Sequence, residues 1–401
     1  MLFICGQIQF WTDLCYEFFS FVVMKVFIVL LSIAFVGTCH SLEKKKTPSL
    51  KKKAKPMQNL PNVLIRVKLG VVRGSVAVRS EDKIFLADFK KKKTIASSDK
   101  FLLVRYERQK FFVKPKTKQF VFRGTPYRGN LILFPKAGKR FLVVNEVPLE
   151  DYLLAVVPSE MPAKWDLEAL RVQAICARTY AFYNYQHRFS KLYDVDRTVK
   201  SQVYGGILRE HPRSSQAVRE TASMIIFHKD KPIESYFHSN SGGITIPSGE
   251  IWPVNVPYTK STLSYDYFAS NYYWKYSIPM SRLTSKLSRF GLGKIDGFDI
   301  HTVSAYGKVK RIQLKANTKQ LTIPVRRFRR IIGFDKIRSL NFVSKVENDH
   351  LHLWGFGYGH GVGLSQWGAY AMVKKGYKMR EIIQHYYRDV KVGLIRERDL
   401  L

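Results

Sequence analysis

Between residues 63 and 145 the hydrophobic pattern consists of short apolar runs that Gly, Lys and Pro separate. These runs begin at Val63, Ser75, Lys83, Phe101, Phe111, Leu131 and Phe141. Runs with such punctuation are typical of antiparallel strands joined by turns. No group of catalytic side chains accompanies them, so we interpret residues 61–145 as a β-rich N-terminal region that supports or docks a reaction centre elsewhere.

From residue 149 onward the apolar positions change to helical spacing. Residues 150–157 are predicted to form a short helix that Pro158 stops, which leaves residues 159–162 as a constrained loop. Asp166 is a good N-cap for a second helix that extends to about Tyr185. The apolar stripe of that helix consists of Leu167, Leu170, Ala174, Ala177 and Ala181.

Two arginines lie beside this stripe, and both are predicted to be partly buried. Arg171 and Arg178 are one heptad apart, so they fall on the same side of the helix. A buried cation requires an anionic partner, which is either another side chain or a ligand.

The C-terminal part combines a polar turn with a glycine-rich segment. We expect a helix over residues 215–222 and a strand pair before the turn at residues 237–243, then mixed elements over residues 263–350. Every second residue from Gly355 to Gly363 is glycine. In a strand these glycines would share one face, which a substrate or another strand could approach closely. The alternative is that they serve only tight packing.

A further helix follows the glycines. Ser365 and Gln366 are predicted to open it, and it is expected to run to about Lys375 with Gly376 as its stop. A helix N-terminus suits an anion or the hydroxyls of a sugar ring. These patterns together predict an α+β fold of mixed sheets with a few helices, a β-rich N-terminal part and an inserted subdomain.

The N-terminus has the layout of a targeting segment. Met24 and Lys25 precede an uncharged run over residues 26–36, which small and polar residues follow, as in a signal peptide. We therefore expect translation to begin at Met24, residues 1–41 to direct export, and the protein to reach the periplasm or cell envelope. Cys39 leaves lipidation open as an alternative, although the preceding Thr38 fits a lipoprotein site poorly.

The net charge points to a polyanionic partner. Lys and Arg number 67 against 31 Asp and Glu, a formal charge of +36, and such a field attracts nucleic acid, anionic lipid or anionic wall polymer. Residues 42–60 form a basic linker that either attaches to an anionic envelope surface or acts as a solvated spacer. The arginines of residues 325–332 alternate with apolar residues, which favours an exposed helix face over nucleic-acid contact.

Candidate chemistry centres on Glu160. Pro158 and Pro162 flank it, and Met161 and Trp165 lie nearby. Rigid apolar surroundings should raise the pKa of this carboxyl towards neutrality, as general acid catalysis requires. The alternative is that the carboxylate caps a helix or pairs with a cation. Cys176 lies in a run of small apolar residues and is predicted to be a core residue.

Six sequence blocks resemble, in order, those of the sporulation stage II protein D family. They are YLLAVVPSEMPAKW, EALRVQAICARTYA, SQVYGG, YFHSNSGG, EIWP and GYGHGVGLSQWGAYAM, and they span about residues 145–390. The resemblance implies that residues 146–392 form a catalytic domain that is similar to lytic transglycosylases and cuts glycan strands, often after an amidase has removed the peptides.

The resemblance also assigns roles to individual residues. It implies that Glu160 is the acid and base, and that Arg178, with Arg171, binds substrate or orients Glu160. The residues expected to line the sugar groove are Tyr204, His238, Ser239, His360, Ser365 and Gln366.

One departure from the family concerns metal binding. Many relatives carry a cysteine in the polar turn and can bind zinc through it, whereas this chain has Ser241. We therefore expect no metal and no other cofactor. A hydrolase that activates water would need a second carboxylate, for which Glu250 and Asp151 are the candidates.

The predicted function is that of an exported lytic transglycosylase. Its expected substrate is the MurNAc-GlcNAc strand of peptidoglycan, freed of peptides, in wall remodelling, division or sporulation. The main alternative is a non-catalytic peptidoglycan-binding protein that enhances a partner amidase. A nucleic-acid binder is the third hypothesis, but no recognised motif accompanies the charge, so we expect no nucleic-acid partner.

Overall fold

The computed structural model describes residues 63–187, 192–317 and 319–400. It contains 26% helix and 37% strand in several sheets, which confirms the predicted α+β class. The predicted signal segment and basic linker lie outside these ranges. In the part of the chain that is described, no helix has the length and apolar character needed to span a bilayer.

The N-terminal region consists of strands, and all seven predicted runs form them. The strands are β1 Leu64–Arg73, β2 Ser75–Arg79, β3 Ile84–Asp88, β4 Thr94–Ser98, β5 Phe101–Arg105, β6 Phe111–Pro115, β7 Gln119–Phe122, β8 Thr125–Arg128, β9 Asn130–Lys136 and β10 Arg140–Pro148. Three of them, β4, β7 and β8, were not predicted. β4 has the sequence TIASS and buries none of its residues, so it lacks the alternation that marks a strand.

These strands form two sheets. A seven-stranded sheet has the order β11-β1-β10-β9-β6-β3-β4, where β11 is Val195–Asp196, and a four-stranded sheet has the order β5-β2-β7-β8. Except for the short parallel pair of β1 and β11, neighbouring strands of the large sheet run antiparallel, as predicted.

The first helix, α1, spans Leu149–Glu160, so the predicted stop at Pro158 is wrong. Proline removes one backbone donor, but it does not prevent the next residues from staying helical. The N–H of Met161 bonds to the carbonyl of Val157 at 3.0 Å and closes the last turn. Because Val157 and Met161 are almost fully buried, tertiary packing holds this turn in place. Glu160 is therefore the last residue of a helix and does not belong to a loop.

The second helix, α2, spans Leu167–His187 and follows Asp166 as predicted. The carbonyl of Asp166 accepts the N–H of Leu170 at 3.2 Å. Helix α3 covers Pro212–Glu220 and begins three residues earlier than expected, because the ring of His211 accepts the N–H of Arg213 and caps it.

A subdomain with its own hydrophobic core is inserted between two short paired strands. β14 (Phe237–His238) and β21 (Leu364–Ser365) run parallel, so the chain leaves the main body at one and returns at the other. The elements between them are β15 Tyr273–Pro279, α4 Met280–Leu287, β16 Gly297–Val303, β17 Val309–Ala316, β18 Lys319–Pro324, α5 Val325–Ile332, β19 Asn341–Glu347 and β20 His350–Phe356. Their core extends from Ile246 to Val362.

The C-terminal elements pack back onto α2. Helix α6 covers Gln366–Lys374, with Ser365 as its N-cap and Gly376 after its end, which confirms the predicted helix. Helix α7 covers Met379–Tyr386, and β22 (Val390–Leu394) pairs with β12 (Met224–His228), which also forms a hairpin with β13 (Lys231–Pro232). Val172, Ile175 and Cys176 of α2 share a buried cluster with this region, so Cys176 is a core residue as predicted.

The main hydrophobic core crosses the change from strands to helices. It contains Val67, Phe111 and Phe141 from the sheets together with Leu153 and Phe182 from α1 and α2. The change from strand to helix, between Pro148 and Leu149, thus lies within one shared core. This core fixes α1, and with it Glu160, against the β-rich region.

Candidate active site

Glu160 combines a raised pKa with one unoccupied carboxylate oxygen. Its Oε1 accepts the backbone N–H of Val203 at 2.6 Å. Burial raises the pKa of Glu160 to about 7, although the bond from Val203 lowers it, so the predicted shift towards neutrality is confirmed. The C-terminal end of a helix also disfavours a negative charge. Among the described residues, none hydrogen-bonds or ion-pairs with Oε2.

The donor to Glu160 is held on both sides. The side chain of Gln202 accepts the Tyr152 hydroxyl at 3.1 Å and donates to the carbonyl of Ala177 at 3.2 Å. The hydroxyl of Tyr204 donates to Oδ1 of Asn145 at 2.9 Å. The Val203 N–H between them therefore points at a fixed position.

Tyr204 supports the site from inside the core and does not line a groove, so the prediction for it is wrong. Only 2% of the residue is exposed. Its ring contacts those of Tyr127 and Tyr152, with centroids 5.6 Å and 5.0 Å away. The amide of Asn145 continues the network to the carbonyls of Arg128 and Asn130.

Arg178 is fully buried, and its protein partners occupy all of its N–H groups. Nε and Nη2 donate to the two carboxylate oxygens of Glu150 at 2.8 Å and 2.7 Å. Further bonds reach Thr221 Oγ1 and the carbonyls of Met224 and Val218. A guanidinium has five donors in total, so none remains for a substrate. The predicted contact with substrate does not fit this geometry.

The pair nevertheless acts on Glu160 through a helix. Glu150 lies in the first turn of α1 and Glu160 ends it, so Glu160 is ten positions, or about 15 Å, further along the helix. Arg178 therefore fixes the far end of the helix that carries the candidate acid, and it is a positioning residue.

Arg171 also has protein partners. It pairs with Glu168 at 2.5 Å and with Glu220 at 2.7 Å, and 30% of its side chain is exposed. The predicted anionic partners are thus protein carboxylates for both arginines. The structure places Arg171 at the contact between α2 and α3 and shows no link to Glu160.

A buried carboxylate organises the polar turn at residues 237–243. Asp266 is fully buried and accepts five hydrogen bonds. Its donors are the N–H and hydroxyl of Ser241, the N–H of Gly243 and the hydroxyls of Ser264 and Ser365. Lys308 lies beneath the same turn and donates to the Ser241 carbonyl at 3.1 Å, and burial lowers the pKa of Lys308 to about 8.

Ser365 and Gln366 point inward, so their predicted place in the groove is wrong. The Ser365 hydroxyl donates to Asp266 at 2.7 Å and also caps α6 by accepting the N–H of Gly368. The Gln366 amide donates to the side chain of Gln173 at 3.2 Å between α6 and α2. Both side chains hold the motif in place.

His238 and His360 lie side by side as neutral rings. Their ring centroids are 5.2 Å apart. Nδ1 of His238 lies 3.1 Å from the carbonyl of Val362, and burial lowers the pKa of His238 to about 3. Burial also lowers the pKa of His360, whose Nδ1 accepts the N–H of Val362. Nε2 of His238 is buried without a partner in the described structure, and Ser239 beside it is partly exposed.

The glycines of the C-terminal motif pack closely and do not form one open strand face. Gly355 belongs to β20, but Gly357, Gly359 and Gly363 have positive φ angles of 90°, 131° and 70°. A methyl group on Gly363 would lie 2.2 Å from the Tyr236 carbonyl, and one on Gly359 would lie 2.5 Å from His238. The prediction of a bare face is wrong, and the packing alternative holds at these positions.

Aromatic rings bring the first and last sequence blocks together. Trp165, five residues after Glu160, contacts Trp367 with centroids 4.8 Å apart and stacks on Tyr370 at 4.5 Å. The backbone N–H of Trp367 donates to the carbonyl of Ser239 at 3.0 Å. The block around Glu160, the polar turn and the glycine motif are therefore neighbours in space although they are far apart in sequence.

Comparison with known proteins shows the family of this chain. A family model described as "Stage II sporulation protein" matches residues 137–228. A stage II sporulation protein D of Bacillus amyloliquefaciens is 30% identical over 271 residues, which cover 62% of this chain and 75% of that protein. The chain belongs to the stage II sporulation protein D family. The predicted resemblance is confirmed.

Two further relatives widen the family context. An uncharacterised protein of Brachyspira hyodysenteriae is 36% identical over 278 residues, 68% of this chain and 74% of that protein. A Bacillus subtilis protein named amidase enhancer is 27% identical over 284 residues, 59% of this chain and 39% of that protein.

In this member of the stage II sporulation protein D family, neither candidate second carboxylate faces Glu160. Asp151 lies nine residues earlier on α1, about 14 Å away along the helix. Glu250 pairs with Lys310 at 2.8 Å.

Sequence reasoning missed Asp266 and the Val203 donor. A turn rich in serine and glycine presents several N–H and O–H donors, and their burial requires an acceptor. That requirement was a signal for an acid such as Asp266, but not for its position in the chain. The backbone N–H of Val203 had no signal, because every residue except proline carries one.

Proposed function

We propose that this protein is a peptidoglycan lytic transglycosylase in which Glu160 serves first as acid and then as base. Family membership and the likeness to a protein named amidase enhancer support a role connected with the cell wall. The observation that carries the finer proposal is the Glu160 carboxyl, with a pKa of about 7 and a free Oε2. A group that titrates near the working pH can both donate and accept a proton.

The proposed reaction needs no activated water. Protonated Oε2 of Glu160 donates its proton to the glycosidic oxygen as the bond from that oxygen to C1 of N-acetylmuramic acid breaks. The 6-hydroxyl of the same sugar then forms a bond to C1 and gives its proton to the carboxylate. The product is a 1,6-anhydro ring, and Glu160 regains its initial state. Between the two steps the Val203 N–H stabilises the carboxylate through its 2.6 Å bond.

Glu160→Gln tests this role directly. Peptide-free glycan strands are incubated with the wild type, with Glu160→Gln and with Glu81→Gln, a control at an exposed acid, and mass spectrometry detects anhydro-muramyl ends. We expect these ends from the wild type and the control only. Full activity of Glu160→Gln would refute the assignment.

The pH dependence of the same assay gives a second test. Since the acid form of Glu160 starts the reaction, kcat/KM should fall as the pH rises above about 7. A rate that stays constant to well above neutrality would contradict the proposed proton donor.

The second candidate function is stimulation of an amidase without glycan cleavage. The likeness to the amidase enhancer favours it. The activity of an amidase on intact peptidoglycan, measured alone and after addition of the Glu160→Gln variant, separates the two functions. Stimulation by this variant, together with an absence of anhydro ends from the wild type, would favour the enhancer.

We also propose that the protein acts in the periplasm or cell envelope. The signal-peptide pattern of residues 24–41 and the basic residues 42–60 support export and attachment to an anionic surface. Cell fractionation tests the location, and replacing the linker lysines with glutamine tests the attachment.

A further inference from the structure

Five aromatic side chains form a continuous cluster beside the candidate active site. Three elements contribute to it: the loop after α1, the loop after Asp266, and α6. The cluster consists of Trp165, Tyr267, Phe268, Trp367 and Tyr370. We refer to these five residues as the aromatic platform.

The platform is buried at one end and exposed at the other. Trp165 is only 6% exposed, whereas Phe268 and Tyr267 are 43% and 68% exposed. Phe268 contacts Trp367 edge-on at 5.7 Å, and Tyr267 contacts Phe268 at the same centroid distance. Contiguous apolar surface of this kind commonly marks a binding site.

The exposed rings stand on a fixed loop. Asp266, which immediately precedes them, is fully buried and accepts five hydrogen bonds. Its carbonyl also accepts the N–H of Ala269 at 3.0 Å, and Tyr272 bonds back to Ala269 at 2.9 Å. The two rings are thus presented on a fixed backbone, which limits the entropy lost when a ligand binds.

The charge around the platform suits an acidic ligand. Lys164 precedes Trp165 in the chain and is exposed. Arg213 is also exposed and donates from Nε to the Trp165 carbonyl at 3.1 Å, which holds its guanidinium at the platform. Lys374 by contrast pairs with Asp166 at 2.8 Å and adds no net charge. Two cations therefore border an apolar surface.

The platform is also close to Glu160. Trp165 is five positions after Glu160, and five extended residues span at most about 18 Å. A turn in which the Trp165 N–H bonds to the Pro162 carbonyl at 3.0 Å shortens this distance. One extended polymer can therefore contact both.

We propose that the aromatic platform is a subsite that binds an N-acetylmuramic acid unit of the glycan strand. The apolar face of the sugar ring packs on Phe268 and Tyr267, and the lactyl carboxylate pairs with Lys164 or Arg213. This inference rests on the proposed function, because it places the same glycan strand across Glu160. It adds the surface that holds the strand.

The test measures binding separately from cleavage. In the Glu160→Gln background, affinity for peptide-free glycan strands is measured by calorimetry after Phe268→Ala or Tyr267→Ala. The matched control is Phe101→Ala, which removes a phenyl ring that is 45% exposed on β5. We expect about tenfold weaker binding for the platform variants and no change for the control. Equal affinity in all variants would overturn the proposal.

A second arm tests the charge. Lys164→Ala with Arg213→Ala should weaken binding of the muramic-acid strand but leave binding of an uncharged N-acetylglucosamine oligomer unchanged. An equal loss for both ligands would refute the carboxylate contact. Thermal unfolding of each variant identifies any loss of folding, and Tyr267→Ala removes the least buried ring.

The outcomes also separate this proposal from the proposed function. If platform variants lose affinity while the wild type forms no anhydro ends, the subsite stands and the transglycosylase assignment fails. If the wild type forms those ends while the platform variants bind normally, only the subsite fails.

Discussion

Glu160→Gln should stabilise the protein at pH 8 but hardly at pH 4. Burial raises the pKa of Glu160 from 4.5 to about 7 in the folded chain. Between these values the folded state binds a proton that the unfolded state has released, so stability falls as the pH rises through this window. Glutamine never ionises and can still accept the Val203 N–H, so the variant avoids this loss.

The magnitude follows from the two pKa values. At about 1.36 kcal/mol for each pKa unit, the interval from 4.5 to about 7 corresponds to about 3 kcal/mol. We therefore expect the variant to gain about 3 kcal/mol over the wild type between pH 4 and pH 8. Below pH 4.5 the carboxyl is mostly protonated in both states, and the difference largely vanishes.

Urea unfolding at both pH values measures this gain. Glu81→Gln is the control, since that exposed acid should gain little at either pH. If Glu160→Gln differed from the wild type by the same free energy at pH 4 and pH 8, the carboxyl would not be buried as described. The proposed acid and base role would then lose its physical basis.

Three further changes probe the supports of the site. Glu150→Ala should lower the free energy of unfolding by about 3–5 kcal/mol, because it leaves the fully buried guanidinium of Arg178 without its carboxylate; denaturant titration measures this, and adding Arg178→Ala should cost little more. Gly363→Ala should unfold at a clearly lower temperature, since its methyl would lie 2.2 Å from a carbonyl, whereas Gly376→Ala, with φ +91° and no neighbour within 4 Å, should lose only about 1–2 kcal/mol. Asp266→Asn should speed hydrogen exchange in the turn at residues 237–243, and unchanged exchange would contradict its organising role.

The sequence predicted the element types well where periodicity was strong. The seven β-runs and the helix after Asp166 were found because burial imposes a repeat on their residues. The predicted helix end at Pro158 was wrong because burial of Val157 and Met161 outweighs the local effect of the proline. Burial depends on elements far away in the chain, which a local pattern does not show.

The candidate site was predictable only in part. Apolar neighbours in the sequence correctly indicated a raised pKa for Glu160. The direction of a side chain was not predictable, because Ser365 and Tyr204 face buried partners supplied by distant segments. Arg178 shows the same limit, since its need for an anion was clear from the sequence but the choice of Glu150 was not.

The ion pair between Arg178 and Glu150, in the first turn of α1, has a consequence for interpreting mutants. Glu150 and Glu160 lie at opposite ends of α1, so loss of the bonds from Arg178 to Glu150 would also change the position of Glu160. A screen that scores turnover alone would group Arg178 with the residues that perform the chemistry. An Arg178 variant can then be tested with a second mutation that holds Glu150 in place by another contact. Such a mutation should restore turnover without restoring a guanidinium.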